Sequence, residues 1–211
     1  MKLYTMPGTC ALACVIAIAW EDADIEVVNL RYGDHKKSDY LSVNPRGQVP
    51  ALVFDDGEVL TEATAILGFI GAAFGGGDSD HYAPNKPLGY REAEALSYLS
   101  SEVHAAFKGH FHPGALTDDA AGEEGVRRQT YKRLDGYFGY LNDWISDTGS
   151  PWLLKERSYA DAYLYIVMRW IDGTPLKLED YPNLLNHQKV MEADEGVQKA
   201  LKLQGMKPAQ S

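Results

Sequence analysis

The sequence predicts a chain in two structural parts, a mixed α/β unit followed by an all-helical one. Three observations carry that expectation. Strand, helix and strand patterns alternate within the first 30 residues, and an Asp56-Gly57 pair separates two apolar runs in the manner of a hairpin. Beyond about residue 88 the apolar spacing becomes helical, and no strand-like alternation of useful length returns.

The first element is a short apolar run (Leu3, Tyr4) that breaks at Pro7-Gly8. Thr9-Cys10 then opens a helix rich in Ala, Val and Ile that runs to Trp20. Asp24 to Leu30 carries β-branched residues in partial alternation and reads as a second strand. A crossover helix between two strands makes them parallel neighbours. Arg31 to Gly47 is polar, with turn signals at Asn44-Pro45 and Arg46-Gly47, and is expected to be a loop with one short helix. Val49 to Phe54 and Val59 to Thr61 form the hairpin, and Thr61 is expected to cap a helix over Glu62 to Phe74 with Ala63, Ile66, Leu67 and Ile70 as its apolar stripe. Four strands of mixed direction with helices packed on them, in the order βαβ then ββα, are what a thioredoxin-like fold requires.

Residues 77–87 interrupt all periodicity with Gly, Asp, Ser and Pro, and read as a linker between a first domain over 1–76 and a second over 88–211. The second is expected to be an all-α bundle with helices at about 88–111, 120–147, 158–172 and 182–203. Ser158-Tyr159-Ala160-Asp161 has the form of a capping box at the start of the third. The tail after Leu203 has little to bury and is expected to fray.

With 45% hydrophobic residues over 211 positions, the chain has material for a real core. Thirty acidic residues against 20 Lys and Arg give a formal charge of -10, which disfavours nucleic acid or an anionic membrane as the main partner. A small anionic ligand therefore needs a local basic site. The N-terminus lacks a basic stretch leading into an apolar one, and Ala11 to Trp20 is too short to span a bilayer, so the expected place is the cytoplasm. Cys10 and Cys14 lie four apart, a spacing of neither a C-x-x-C redox pair nor a zinc site, and reduced thiols fit. Cys10 stands at a helix N-terminus, where unpaired N–H groups and the helix dipole favour a thiolate. Cys14, among Ala, Val and Ile, is expected to be inert core. His104, His110 and His112 lack an acidic or thiol ligand at a recognisable spacing, so no metal is expected.

Five segments together resemble the cytosolic glutathione transferases, and within them the bacterial beta class: KLYTMPGTCA at the start, NPRGQVPAL, DDGEVLTEATAI, SEVH on the first long helix, and RSYADAYLY. The resemblance covers nearly the whole chain. It implies a thioredoxin-like glutathione-binding domain, a helical domain forming the electrophile pocket and part of a dimer interface, and a homodimer. Glutathione is then the co-substrate.

Residue by residue, the resemblance places Cys10 beside the glutathione sulfur, able to form a mixed disulfide with it. It makes the Val49-Pro50 bond cis, turning the Val49 backbone toward the cysteinyl unit, and gives Gln48 a contact to the γ-glutamyl end. Glu62 holds the γ-glutamyl ammonium and the Ala63 N–H binds its carboxylate; the hydroxyl that many relatives have at this second position is missing. One of His35, Lys36 or Lys37 meets the glycyl carboxylate, and Lys36 is the choice. His104 lines the cleft as a catalytic group that orients or polarises, and Glu102 reaches the neighbouring subunit's glutathione. Ser97 and Ala105 depart from the asparagine and lysine that beta-class enzymes can carry, and Thr5 stands where a relative's tyrosine would supply a phenol near the sulfur. Phe107, Phe111 and Trp170 read as pocket wall or core.

The function these readings imply is conjugation or exchange of glutathione with hydrophobic electrophiles or disulfides, in a detoxification role. The rival is a non-catalytic protein of the same fold, resembling the stringent-starvation proteins that associate with RNA polymerase. Cys10 argues against it, while Ala63, Ser97 and Ala105 keep it open.

Overall fold

The computed structural model describes residues 1–76 and 87–209. Its first part is a four-stranded sheet of β1 (Lys2–Thr5), β2 (Glu26–Asn29), β3 (Ala51–Val53) and β4 (Val59–Thr61), in the order β2-β1-β3-β4. β1 and β2 are parallel, with Leu3 opposite Val27. β3 runs antiparallel to both β1 and β4, pairing Leu52 with Leu3 on one side and with Leu60 on the other. The strand, helix, strand unit and the Asp56-Gly57 hairpin are thus in place, with β2 and β3 shorter than the apolar runs that announce them.

The helix between the parallel strands, α1 (Ala11–Trp20), is buried without interruption from Ala11 to Ile18. A helix apolar on every face belongs in the interior. It packs against α3 (Ala63–Phe74) and against two helices of the second part, α7 (Tyr159–Arg169) and α9 (Glu195–Leu203). Between β2 and β3 the chain makes a 3₁₀ turn (Asp34–Lys36) and the short α2 (Ser38–Leu41).

The second part is helical. α4 (Pro87–Tyr98) passes directly into a π-helical stretch, Leu99–His104, followed by α5 (Lys108–Phe111), α6 (Glu123–Thr148), α7, α8 (Pro182–Ala193) and α9. The expected linker, apart from its last residue, lies outside the described residues.

Four expectations need correction. Thr61 does not cap α3: it ends β4 and its hydroxyl accepts from Arg46 at 2.9 Å, while Glu62 occupies the cap position. The last predicted helix is two, because Asp194 leaves helical geometry and its carboxylate caps α9 through the Val197 N–H at 3.0 Å. The first long helix is interrupted by the π stretch, which the 3.6-residue period does not encode. The tail packs, with Gln204 buried and its amide donating to the Thr5 hydroxyl at 2.7 Å.

Candidate active site

Cys10 immediately precedes α1 in helical conformation, and its thiol is half-buried with the Val49 carbonyl 3.8 Å away. The helix-end setting does not make it a thiolate. Burial pushes the Cys10 thiol up to about 12, and the nearby Glu62 carboxylate adds to the shift, against which the N–H groups of Cys10 and Ala11 pull only partly. The expected thiolate is therefore replaced by a neutral thiol in the free protein. Cys14 is fully buried, its sulfur 3.6 Å from the Ala63 carbonyl, and its thiol is also pushed up by burial.

A cavity of about 740 Å³ opens from this thiol. Its floor and one wall come from the first part of the chain: Cys10, Lys36, Gln48, Val49, Pro50, Glu62 and Ala63 all line it. The Val49-Pro50 bond is cis, as the resemblance implies. Tyr40 and Asn44 hold the strand's approach by donating to the Gln48 carbonyl at 2.5 and 2.8 Å. Glu62 has φ 70°, a left-handed conformation that costs a non-glycine residue on the order of 1 kcal/mol or more. It precedes the first turn of α3, where the Ala63 N–H, as the leading one, has no intrahelical partner. The Glu62 carboxylate is exposed and paired with Arg46 at 2.9 Å.

Of the three cationic candidates, Lys37 is tied to Asp34 at 2.6 Å, whereas His35 and Lys36 both line the cavity. The Lys36 ammonium lies 3.5 Å from the Gly47 carbonyl. Gly47 has φ 60° and packs so closely that a Cβ there would meet the His35 carbonyl at 2.8 Å. Glycine is what lets this loop fold its basic side chains over the cavity.

The opposite wall is helical. His104, at the end of the π stretch, lines the cavity with Ser100, Ala105, Phe111, His112, Tyr163 and Trp170. A 3.6-residue period puts Ser97, Ser101, His104 and Lys108 on one face; in the structure, where a π stretch intervenes, His104 lines the cavity, and Ser97, Ser101 and Lys108 are exposed and outside its lining. His104 Nδ1 is 2.7 Å from the Tyr163 hydroxyl, and the Trp170 ring packs edge-on against the imidazole at 4.8 Å. Trp170 in turn donates its indole N–H to the Gly8 carbonyl at 2.8 Å, joining the helical wall to the loop before Cys10. Burial lowers the His104 pKa, with the Glu62 charge opposing it.

Of the nine residues given a catalytic or glutathione-binding role from sequence, eight thus share one cavity, and Glu102 does not. It lies exposed, accepting from the Tyr137 hydroxyl at 2.7 Å. Phe107 is core, not wall. Thr5 is buried beside Gln204, away from the cavity lining; the phenol at the cavity is Tyr163. Tyr163 and Arg46 were both legible by type, one in an apolar helical stripe and one in a basic loop, yet no local spacing marks them as site residues. Among the described residues no group of three or more His, Cys, Asp or Glu stands together as a metal site, and no helix is long and apolar enough to cross a membrane.

A cysteine before a buried helix, a cis Val49-Pro50 bond leading into β3 and a helical wall across the cleft define a thioredoxin-like unit with a half-buried thiol at its cavity, joined to a helical bundle. The family models for the N-terminal and C-terminal domains of glutathione S-transferase match residues 1–72 and 108–203. The chain belongs to the glutathione S-transferase family. It is 34% identical to glutathione S-transferase GstA of Escherichia coli O157:H7 over 216 residues, covering 98% of this chain and 100% of that one. A bacterial beta-class glutathione S-transferase from Sphingomonas chungbukensis superposes with a TM-score of 0.84 at 30% identity, over 98% of this chain and all of that one. A sphingomonad glutathione S-transferase complexed with glutathione does so with a TM-score of 0.84 at 31% identity, with the same coverage.

Proposed function

We propose that this chain conjugates glutathione to hydrophobic electrophiles, or exchanges it with disulfides, as a glutathione transferase of the bacterial beta class. The observation that carries this reading is the single cavity that joins Cys10, the Val49-Pro50 segment before β3 and the Glu62-Ala63 helix start to a wall of His104, Phe111, Tyr163 and Trp170. Support for catalysis over a non-catalytic role comes from full-length similarity to relatives named as glutathione S-transferases.

In this reading glutathione lies extended along the first wall. Val49 offers its backbone to the cysteinyl unit, Gln48 and Glu62 take the γ-glutamyl end, the Ala63 N–H takes its carboxylate, and Lys36 meets the glycyl carboxylate. The ligand's sulfur then sits at the start of α1, where the Cys10 and Ala11 N–H groups favour an anion. Because Cys10 itself holds its proton, the ionised nucleophile is the glutathione sulfur, and Cys10 serves as its neighbour or its disulfide partner. The electrophile occupies the aromatic wall.

The same reading divides the chain into a glutathione-binding domain over 1–76, a linker over 77–87 and a helical domain over 88–211. It makes the active form a cytoplasmic homodimer with a detoxifying role, in which the exposed Glu102 reaches the partner's ligand. No nucleic acid or membrane partner enters it.

The test is retention on immobilised glutathione, followed by turnover with a chloronitrobenzene and with a glutathione mixed disulfide. Retention and at least one activity are expected. Absence of both binding and turnover overturns the reading.

A further inference from the structure

We propose that Tyr163 is a positioning residue that holds His104 in the Nε2–H tautomer, so that the imidazole presents a hydrogen-bond donor, not a base, to the sulfur in the cavity. The catalytic consequence rests on the glutathione reading above; the tautomer itself does not.

The argument begins with the phenol. Tyr163 is 2% exposed in α7, and among the described residues its hydroxyl has one partner, His104 Nδ1 at 2.7 Å. Burial, together with Cys10, Cys14 and Glu62, pushes the phenol's pKa well above the ordinary tyrosine range, so the oxygen keeps its proton. A buried donor left without an acceptor costs about 1–3 kcal/mol. Nδ1 is the acceptor at hand.

The histidine then has no freedom. Burial outweighs the opposing Glu62 charge and keeps the ring neutral at physiological pH, so it carries one proton. With Nδ1 accepting from the phenol, that proton is on Nε2. The reverse arrangement, Nδ1–H donating to the phenol oxygen, strands the tyrosine's own hydrogen. Nε2 has no protein partner among the described residues; beside His104 on the helical wall the cavity holds His112, and across it stand Cys10, His35, Lys36, Arg46 and Glu62. Trp170, packed edge-on at 4.8 Å and anchored to Gly8, limits rotation of the ring. A neutral ring with Nε2–H facing an ionised sulfur lowers the energy of the thiolate without taking its proton.

The experiment uses the full-length protein with ¹⁵N-labelled histidine. In long-range ¹H–¹⁵N spectra at neutral pH, the His104 signals, identified by their loss in His104→Gln, are expected to show a protonated Nε2 and an unprotonated Nδ1. Tyr163→Phe is expected to give a mixture of the two tautomers. It should also lower kcat with a chloronitrobenzene about tenfold, with the glutathione KM changed by less than about twofold, which is the size of one lost hydrogen bond felt in the transition state. In a His104→Gln background the same substitution should cost less than about twofold. A protonated Nδ1 in the wild-type protein overturns the proposal, as does an equal loss of kcat in both backgrounds. Should Tyr163→Phe fail to fold, the wild-type spectrum decides alone. If the wild-type protein neither binds nor turns over glutathione, the functional reading fails while the spectrum still decides the tautomer.

Discussion

At the scale of single residues, position and environment pull Cys10 in opposite directions. The start of α1 is the place for a thiolate, yet burial and Glu62 win and set its pKa at about 12. At pH 8 the thiolate fraction is then on the order of one part in ten thousand, against about one part in eleven for a thiol at the ordinary value of 9.0. Iodoacetamide should therefore alkylate Cys10 about a hundredfold to a thousandfold more slowly than it alkylates free glutathione at pH 8. Mass spectrometry of a time course checks this, and Glu62→Gln should speed the reaction by removing the second cause of the shift. The linkage has a definite sign. Between the unfolded value of 9.0 and the folded value of about 12, the native state holds a proton that the unfolded chain has released. Stability consequently falls as pH rises through that window, by up to about 1.4 kcal/mol per pH unit from this group. Urea denaturation of wild type and Cys10→Ser at two pH values inside the window should show a shallower decline in the variant.

At the scale of elements, the start of α7 is the helix end most legible in the sequence. The Ser158 capping signal is built as the sequence announces: the Ser158 N–H and hydroxyl both donate to one Asp161 oxygen, at 2.8 and 2.9 Å, and the other oxygen accepts from the Leu153 N–H at 2.9 Å. Two of these contacts follow from a four-residue pattern; the third joins a loop five residues upstream and needs the fold. Asp161 and Ser158 are buried, so Asp161→Ala strands two backbone donors as well as removing a cap. A loss of about 2–4 kcal/mol is expected, read from the urea midpoint at unchanged m-value. The π stretch at Leu99–His104 went unread for the opposite reason. Its residues, LSSEVH, have ordinary helical propensity, and the wider turn ends at His104, whose partners Tyr163 and Trp170 lie far along the chain.

On the scale of the molecule, the two parts meet over α1 and α3, and their closeness depends on small residues. Gly71 in α3 faces the buried Tyr159 ring, and a Cβ there would come within 2.7 Å of it. That ring cannot easily withdraw, since its hydroxyl donates to Glu21 at 2.6 Å and its backbone N–H donates to the buried Glu92 at 2.6 Å. Gly71→Ala, favourable for an isolated helix, should instead destabilise the protein by about 1–3 kcal/mol through overpacking. Equilibrium denaturation distinguishes the two signs.

What the sequence determined by itself is the local grammar: the strand, helix and strand opening, the hairpin at Asp56-Gly57, the switch to helices, the capping box, and the stretches whose resemblance points to a glutathione site. These are readable because each is written in residues close together along the chain. Tertiary structure decided what depends on distant groups. The protonation of Cys10 depends on its burial and on Glu62, the hydrogen bond of its thiol on Val49, the packing of the tail on Thr5, the phenol at the site on Tyr163, and the aim of His104 on a turn of unusual pitch. Desolvation and hydrogen bonding act through space, and the neighbours that set them are 39 to 199 positions apart in the chain.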